Sequence, residues 1–257
     1  MLTIPNILNT PEFLDAPLDY KWDRKLSDYH AVDAMNDKLG VALFALNHKS
    51  TFGIAAALSE WIYWRLSKHI NIPEIVPILE AQWAADIDKR YSYLWEFRDA
   101  AKIDAEQRKA YNTIWVMLWI LDTPKFAYFD GRFFINLNID KLAILARYIS
   151  PDKKMFDAWY DNVFKRAAKL FPAQYDRSEI MENRSAYQGK TYDSSGEPVI
   201  SREFFWDEKF DYQTADNTRL INDFLSGLDY ENNPYLNSPD KMLELGFKGT
   251  PYQYEPK

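Results

Sequence analysis

The stretch STFGIAAALSEWIYWRLSKH, residues 50–69, decides the fold of this chain. Apolar side chains recur along it at every third or fourth position, a spacing typical of an α-helix that buries one face. The residues on this face are Ile54, Leu58, Trp61, Ile62, Leu66 and His69. Ser50 is the predicted N-cap, and Asn71 with Pro73 indicates the end. The stretch therefore predicts a long helix.

The same periodicity predicts helices on both sides of this stretch. They are expected at residues 28–46, 73–101, 104–121, 140–149 and 151–171. Asp104 is the predicted N-cap of the third of these helices, and Pro124 should stop it. Because residues 114–121 are apolar nearly all round, we expect them at the centre of the protein. The sequence thus predicts a mainly α fold, a single-domain antiparallel helical bundle over residues 1–173.

A possible short β-hairpin interrupts this pattern. Residues 126–129 and 132–135 flank Asp130-Gly131, a dipeptide that favours a two-residue hairpin turn because both central residues need positive φ. The alternative is a plain loop between two helices. The sequence alone leaves both open.

Residues 174–257 differ in character from the bundle. Residues 176–198 are polar and contain the glycines and serines of loops, so a linker or long surface loop is expected there. A short amphipathic helix is predicted at residues 215–228. A final helix has Ser238 at its N-cap and Pro239 at its first position, and Gly246 ends it. We therefore expect an irregular, loop-rich acidic C-terminal lobe packed on the bundle.

Charge is distributed unevenly along the chain. Residues 1–173 carry equal numbers of acidic and basic side chains, so the whole formal charge of −7 at pH 7 belongs to residues 174–257. Charge at that density steers encounters with partners and does not set the fold. Nucleic acid would be repelled, since its affinity comes from neutralised phosphates. The asymmetry predicts a surface that attracts a basic protein.

Composition excludes several classes of site and location. The chain has no cysteine, which excludes disulfides, thiolate metal sites and a Cys nucleophile. Its apolar runs fall short of the roughly 20 residues that a membrane span needs. The first 19 residues lack the charged start and apolar run of a secretion signal. We expect a cytoplasmic protein with no membrane partner.

Motifs for catalysis, cofactors and metals are missing. The three histidines, His30, His48 and His69, lie in no HExxH or ExxH pattern, and the sequence has no phosphate-cradling glycine motif. We expect no catalytic residue, no metal and no cofactor. Asp86 and Arg90, at i and i+4, are expected to form an ordinary surface ion pair.

An acidic, aromatic segment is the strongest positive signal. Carboxylates steer basic partners, and aromatic side chains make good interface anchors. The predicted partner-binding residues are Glu203, Phe205, Trp206, Asp207, Glu208, Asp211 and Tyr212. The alternative is a tail packed on the bundle, with its charges left in water.

Four stretches resemble parts of bacterial proteins encoded next to secreted polymorphic toxins. NPYLNSPDKM (233–242) and GFKGTPY (246–252) are similar to the ends of those proteins, and EPVISREFF (197–205) and ALSEW (57–61) to earlier parts. Such proteins generally act as immunity proteins that bind and block the cognate toxin of interbacterial secretion systems, including type VI systems. The resemblance implies a stoichiometric toxin inhibitor and carries over no functional residue.

Two other hypotheses remain open at this point. One is a hydrolase that uses His48, in a loop between helices, with a nearby carboxylate. The other is a helical small-ligand-binding or scaffold protein. Its aromatic cavity would lie among Trp61, Trp83, Trp115 and Trp119.

Overall fold

The computed structural model describes residues 2–21, 37–94, 107–136, 138–212 and 216–256. Twelve α-helices lie in these ranges. They are α1 (Pro11–Leu14), α2 (Asp37–Leu43), α3 (His48–Leu66), α4 (Ile75–Ile87), α5 (Arg108–Phe129), α6 (Ile139–Ile149), α7 (Lys153–Leu170), α8 (Arg177–Glu182), α9 (Arg184–Tyr187), α10 (Glu203–Trp206), α11 (Asn217–Ser226) and α12 (Pro239–Glu244).

Helices dominate the described chain, which confirms the prediction of a mainly α fold. Two 3-10 turns cover Lys89–Tyr91 and Ser194–Gly196. Within the described ranges no β-sheet forms, and two isolated bridges join Leu46 to Pro172 and Ser92 to Leu236. The finer expectations, a single-domain bundle to residue 173 and an acidic lobe after it, stay predictions.

Helix α3 is the most deeply buried helix of the core. It packs against α4, α5 and α6, and every residue in it except Tyr63 is buried. Small side chains at Gly53 and at residues 55–57 let its neighbours approach closely. Residues 114–121 lie in the core, as expected, except on one side of α5, where Trp115 and Trp119 are 36% and 39% exposed.

The hairpin expected around Asp130-Gly131 does not form. Helix α5 continues to Phe129, and Gly131 then takes a positive φ of 67°. The N–H of Gly131 donates to the carbonyl of Tyr128 (3.2 Å), and the next N–H donates to the carbonyl of Ala127 (2.9 Å). This pair of bonds is the Schellman motif, in which a left-handed glycine ends a helix. Asp130-Gly131 therefore ends a helix and does not form a hairpin turn.

Three predicted helix boundaries are also wrong. Ser50 is not an N-cap, because α3 begins at His48 and the side chain of Asn47 caps it by accepting the N–H of Ser50 (2.8 Å). Helix α4 ends at Ile87 because Asp88 adopts extended backbone, and the side chain of Asp88 then accepts the N–H of Arg90 (2.9 Å) to start a 3-10 turn. Pro124 lies inside α5 and does not stop it. The predicted N-cap Asp104 and residues 95–101 lie outside the described ranges.

A buried ion pair joins α3 to the segment before α10. Glu60 is fully buried, and the Arg202 guanidinium donates from Nε to Oε1 (2.7 Å) and from Nη2 to Oε2 (2.6 Å). The indole N–H groups of Trp64 and Trp83 donate to the same carboxylate. Arg202 Nη2 also donates to the carbonyl of Thr3 (2.7 Å). Four segments, which are α3, α4, the one before α10 and the N-terminal arm, are thus held at one point.

Replacing Arg202 with methionine should destabilise the protein severely. The substitution leaves Glu60 buried and without its cation, which costs about 3–5 kcal/mol of unfolding free energy. Urea unfolding followed by circular dichroism measures the change. The control is Lys165→Met, which breaks the exposed Lys165–Asp161 pair and should cost less than about 1 kcal/mol. Equal losses in the two variants would show that the buried pair is not structurally important.

Close packing at Gly53 allows a second test of the contact between α3 and α10. A Cβ on Gly53 would lie 2.3 Å from Cζ of Phe205, which is fully buried. Gly53→Ala should therefore destabilise by about 1–3 kcal/mol through overpacking. In Gly40→Ala, the helical control, the new Cβ meets no atom within 4 Å, so the variant should gain up to about 1 kcal/mol from helix propensity. A gain at both glycines would contradict the packing.

Candidate functional site

The predicted partner-binding segment forms α10 and the turn that follows it. The side chain of Phe205 is fully buried and packs on Trp83, with ring centroids 5.3 Å apart. Trp206 is 9% exposed and stacks on Trp159 at 5.2 Å. Tyr212 is half-buried, and its hydroxyl donates to the carbonyl of Val199 (3.0 Å). These three aromatic residues hold the segment on the helices and do not project from it.

The predicted carboxylates divide into one half-buried and three exposed residues. Asp207, Glu208 and Asp211 are exposed on residues 207–211, which we call the acidic turn. Glu203 is half-buried, and no described residue donates a hydrogen bond to its Oε2. Burial raises the pKa of Glu203, although its own backbone N–H and Arg202 oppose the shift. Three of the seven predicted residues therefore present their charge to solvent.

Hydrogen bonds to the core fix the backbone just before the acidic turn and at Phe210 within it. The guanidinium of Arg166, on α7, donates to the carbonyls of Phe204 (2.6 Å) and Phe210 (3.2 Å) and lies over the ring of Phe204. Trp159 Nε1 donates to the carbonyl of Phe205 (2.8 Å). Within the turn, Asp207 Oδ1 accepts the N–H of Lys209 (2.9 Å). The three exposed carboxylates thus lie on a preorganised backbone.

His48 begins α3 and is 1% exposed. Its Nε2 donates to the carbonyl of Phe133 (3.1 Å), and the rings of Tyr175 and Tyr192 contact it edge-on. Among the described residues its Nδ1 has no hydrogen-bond partner, and no carboxylate bonds to its ring. Burial lowers the pKa of His48 to about 4, so the ring is neutral near pH 7. The geometry gives no support to a hydrolase that uses His48.

The four tryptophans of the small-ligand hypothesis do not lie together. Trp61 and Trp83 are buried in the core, whereas Trp115 and Trp119 lie on the exposed side of α5. Rings of Phe13, Phe156 and Trp159 pack closely around Trp61. A cavity of about 770 Å³ in the described structure is lined by none of the four tryptophans.

Sequence reasoning missed a buried polar cluster formed by Lys49, Asp86 and Glu197. Asp86 is 2% exposed, and burial raises its pKa well above the ordinary value, with the charge of Lys49 opposing the shift. The expected Asp86–Arg90 pair is wrong, because Arg90 pairs with Asp88. Glu197 accepts the backbone N–H of Lys49 (2.8 Å) from 148 positions away. A contact between residues so far apart in the sequence leaves no local pattern from which it could be predicted.

Comparisons with known proteins do not assign this chain to a family. No protein-family model matches the sequence, and no curated protein or solved structure is significantly similar to it. In the described part of the chain, no three His, Cys, Asp or Glu side chains are grouped as metal ligands. No helix described here has both the length and the apolar character needed to cross a bilayer. The predicted resemblance to immunity proteins stays a prediction.

The burial of His48 predicts a specific loss of stability in acid. Its pKa is about 4 in the folded chain against 6.5 unfolded, so between these values the unfolded state binds a proton that the folded state does not. Stability should therefore fall as pH drops through this window, by about 1.4 kcal/mol per pH unit from this residue. Urea unfolding of wild type and His48→Gln from pH 7 to 4.5 measures the difference, which should shrink as pH falls.

His69→Gln is the matched control for this series. His69 is less buried, so its replacement should alter the pH dependence less. NMR titration of the imidazole resonances gives an independent reading. A resonance of His48 that titrates near pH 6.5 would contradict its burial as a neutral ring.

Proposed function

We propose that this chain is a non-catalytic binding protein that captures a basic protein through the acidic turn. In its specific form, the proposal is an immunity protein that neutralises a cognate bacterial toxin in the cytoplasm by forming a stoichiometric complex. The observation that carries it is the exposure of Asp207, Glu208 and Asp211 on a backbone fixed by the core.

Preorganisation is the physical reason why this turn suits binding. Ordering a flexible loop at an interface costs free energy that subtracts from affinity. The acidic turn has met much of this cost in folding, because Arg166 holds the backbone at Phe204, before the turn, and at Phe210, within it. Its carboxylates then act on the encounter rate, since complementary charge speeds association. In this proposal Phe205, Trp206 and Tyr212 position the turn, and the partner's Lys and Arg side chains make the contacts.

The charge asymmetry favours a nuclease as the toxin. A nuclease needs a basic substrate surface, because phosphate neutralisation supplies much of its affinity for nucleic acid. An acidic protein that covers this surface competes directly with the substrate. The excess of −7 in residues 174–257 gives this chain the sign that such competition requires.

Gene context and co-expression give the first test. We expect a toxin reading frame next to the gene for this chain, and we expect co-expression of this chain to rescue the host from that toxin. Purified toxin and this chain should form a complex of fixed stoichiometry, measured by light scattering. A neighbouring product that is harmless by itself, or a toxin that kills despite co-expression, would argue against the immunity role.

Charge reversal tests the acidic turn itself. Asp207→Lys/Glu208→Lys should slow association with the toxin by about tenfold or more and weaken its dependence on salt, because exposed interface charges act mainly on the on-rate. Stopped-flow or surface-plasmon kinetics at several salt concentrations measures this. Glu182→Lys/Glu231→Lys is the control, with the same change of net charge on exposed residues elsewhere. Equal slowing in both variants would mean that net charge, and not this turn, guides the partner.

A further inference from the structure

A cavity of about 770 Å³ lies between the end of α4, the end of α5 and the last described residues of the chain. Its lining includes the 3-10 turns at Lys89–Tyr91 and Ser194–Gly196 and residues 247–256. None of the three exposed carboxylates of the acidic turn lines it. A volume of this size suits a small organic molecule, for which pockets span roughly 300–1,000 Å³.

Three of the four carboxylates that line the cavity are occupied by donors of the protein. Asp88 accepts hydrogen bonds from Arg90 Nε (2.8 Å) and from the Arg90 backbone N–H (2.9 Å). Asp193 accepts the N–H (2.9 Å) and the hydroxyl (3.0 Å) of Ser195. Glu197 accepts two backbone N–H groups at the start of α3 and the hydroxyl of Tyr192 (2.8 Å). These groups therefore have little capacity left for a cationic ligand.

The cations that line the cavity at the end of α4 differ in the partners that they already have. Lys49 Nζ donates to the carbonyls of Asp86 and Ile87, both at 2.6 Å. Arg90 pairs with Asp88. The ammonium of Lys89 lies 4.7 Å from the ring centroid of Tyr128 and makes no hydrogen bond or ion pair with any described residue. Apart from this ring contact, the half-buried ammonium has three hydrogen-bond donors for which no described residue supplies an acceptor.

Aromatic rings form much of the remaining wall. Tyr91, Tyr128, Phe247 and Tyr254 line the cavity together with Lys89. Tyr128 is held rigidly, since its ring stacks on Phe52 at 4.2 Å. Tyr91 and Tyr128 are almost fully buried, whereas Phe247 and Tyr254 are half-buried and can contact a flat apolar group by stacking or at an edge. The wall thus places the Lys89 ammonium, which makes no hydrogen bond to a described residue, beside surfaces that suit a planar ligand.

We propose that this cavity binds a small aromatic carboxylate, with its negative charge on the ammonium of Lys89 and its ring against the aromatic wall. A singly charged anion fits better than a phosphate. Asp88, Asp193 and Glu197 act on Lys89 as nearby negative charges and would repel a second negative charge on the ligand. Burial lowers the pKa of Lys89 while Asp193 opposes the shift, as expected for an ammonium that lacks a close anion.

Binding of benzoate by the full chain tests this proposal. We expect saturable binding of benzoate by isothermal calorimetry at pH 7, with weaker binding of uncharged benzamide and of phenyl phosphate. Lys89→Met should lower the affinity for benzoate about tenfold or more, because hydrogen bonds to charged groups are the stronger ones. The same substitution should leave the affinity for benzamide unchanged. Lys154→Met, outside the cavity, is the control and should bind benzoate as wild type does.

A second measurement covers the case in which Lys89→Met does not fold. After reductive ¹³C-methylation of the wild-type lysines, the resonance of Lys89, assigned with Lys89→Arg, should shift on addition of benzoate and not of chloride. No saturable binding of benzoate, an unchanged affinity in folded Lys89→Met, or tighter binding of phenyl phosphate would each overturn the proposal. Toxin capture is proposed for the acidic turn, whose exposed carboxylates do not line this cavity. The benzoate experiments and the toxin experiments can therefore succeed or fail independently of each other.

Discussion

The buried carboxylate of Glu60 is the constraint on which the rest of the structure depends. A charge in the interior must be paired and hydrogen-bonded, and Glu60 meets this requirement only when α4 supplies Trp83 and the segment before α10 supplies Arg202. Arg202 in turn holds the N-terminal arm through the carbonyl of Thr3. One residue of α3 therefore fixes the position of three other segments, including the one that carries the acidic turn.

The site follows from this arrangement through packing. Arg202 places α10 against α3 at Gly53, where the absence of a Cβ admits the ring of Phe205. Phe205 and Trp206 then fill the core, and the chain must turn outward at Asp207, at the surface. Arg166 stabilises that turn from α7. The carboxylates are thus exposed because their aromatic neighbours are buried. The segment is packed on the helices and leaves these charges in water, and partner binding by the same charges stays a proposal.

Sequence reasoning succeeded where the signal is local. Ser238 caps its helix as expected, and Gly246 follows α12 with a φ of 79°. It failed where the outcome depends on tertiary contacts. Asp130-Gly131 favours a hairpin or a helix end equally well until the preceding strand or helix is known. Similarly, Asp86 looks like a surface residue until α3 and residues 193–197 cover it, and the burial of Phe205 depends on a distant glycine.

The absence of a hydrogen-bond acceptor for Lys89 among the described residues has a structural origin in the way α4 ends. The last carbonyls of a helix have no partner within the helix. Extended backbone at Asp88 leaves the carbonyls of Asp86 and Ile87 exposed to the interior, and Lys49 satisfies both. Asp88 is itself taken by Arg90. Of the three cations at this helix end, two are therefore used in closing it, and the third faces the cavity. The same local geometry that ends the helix provides the positive charge for a ligand.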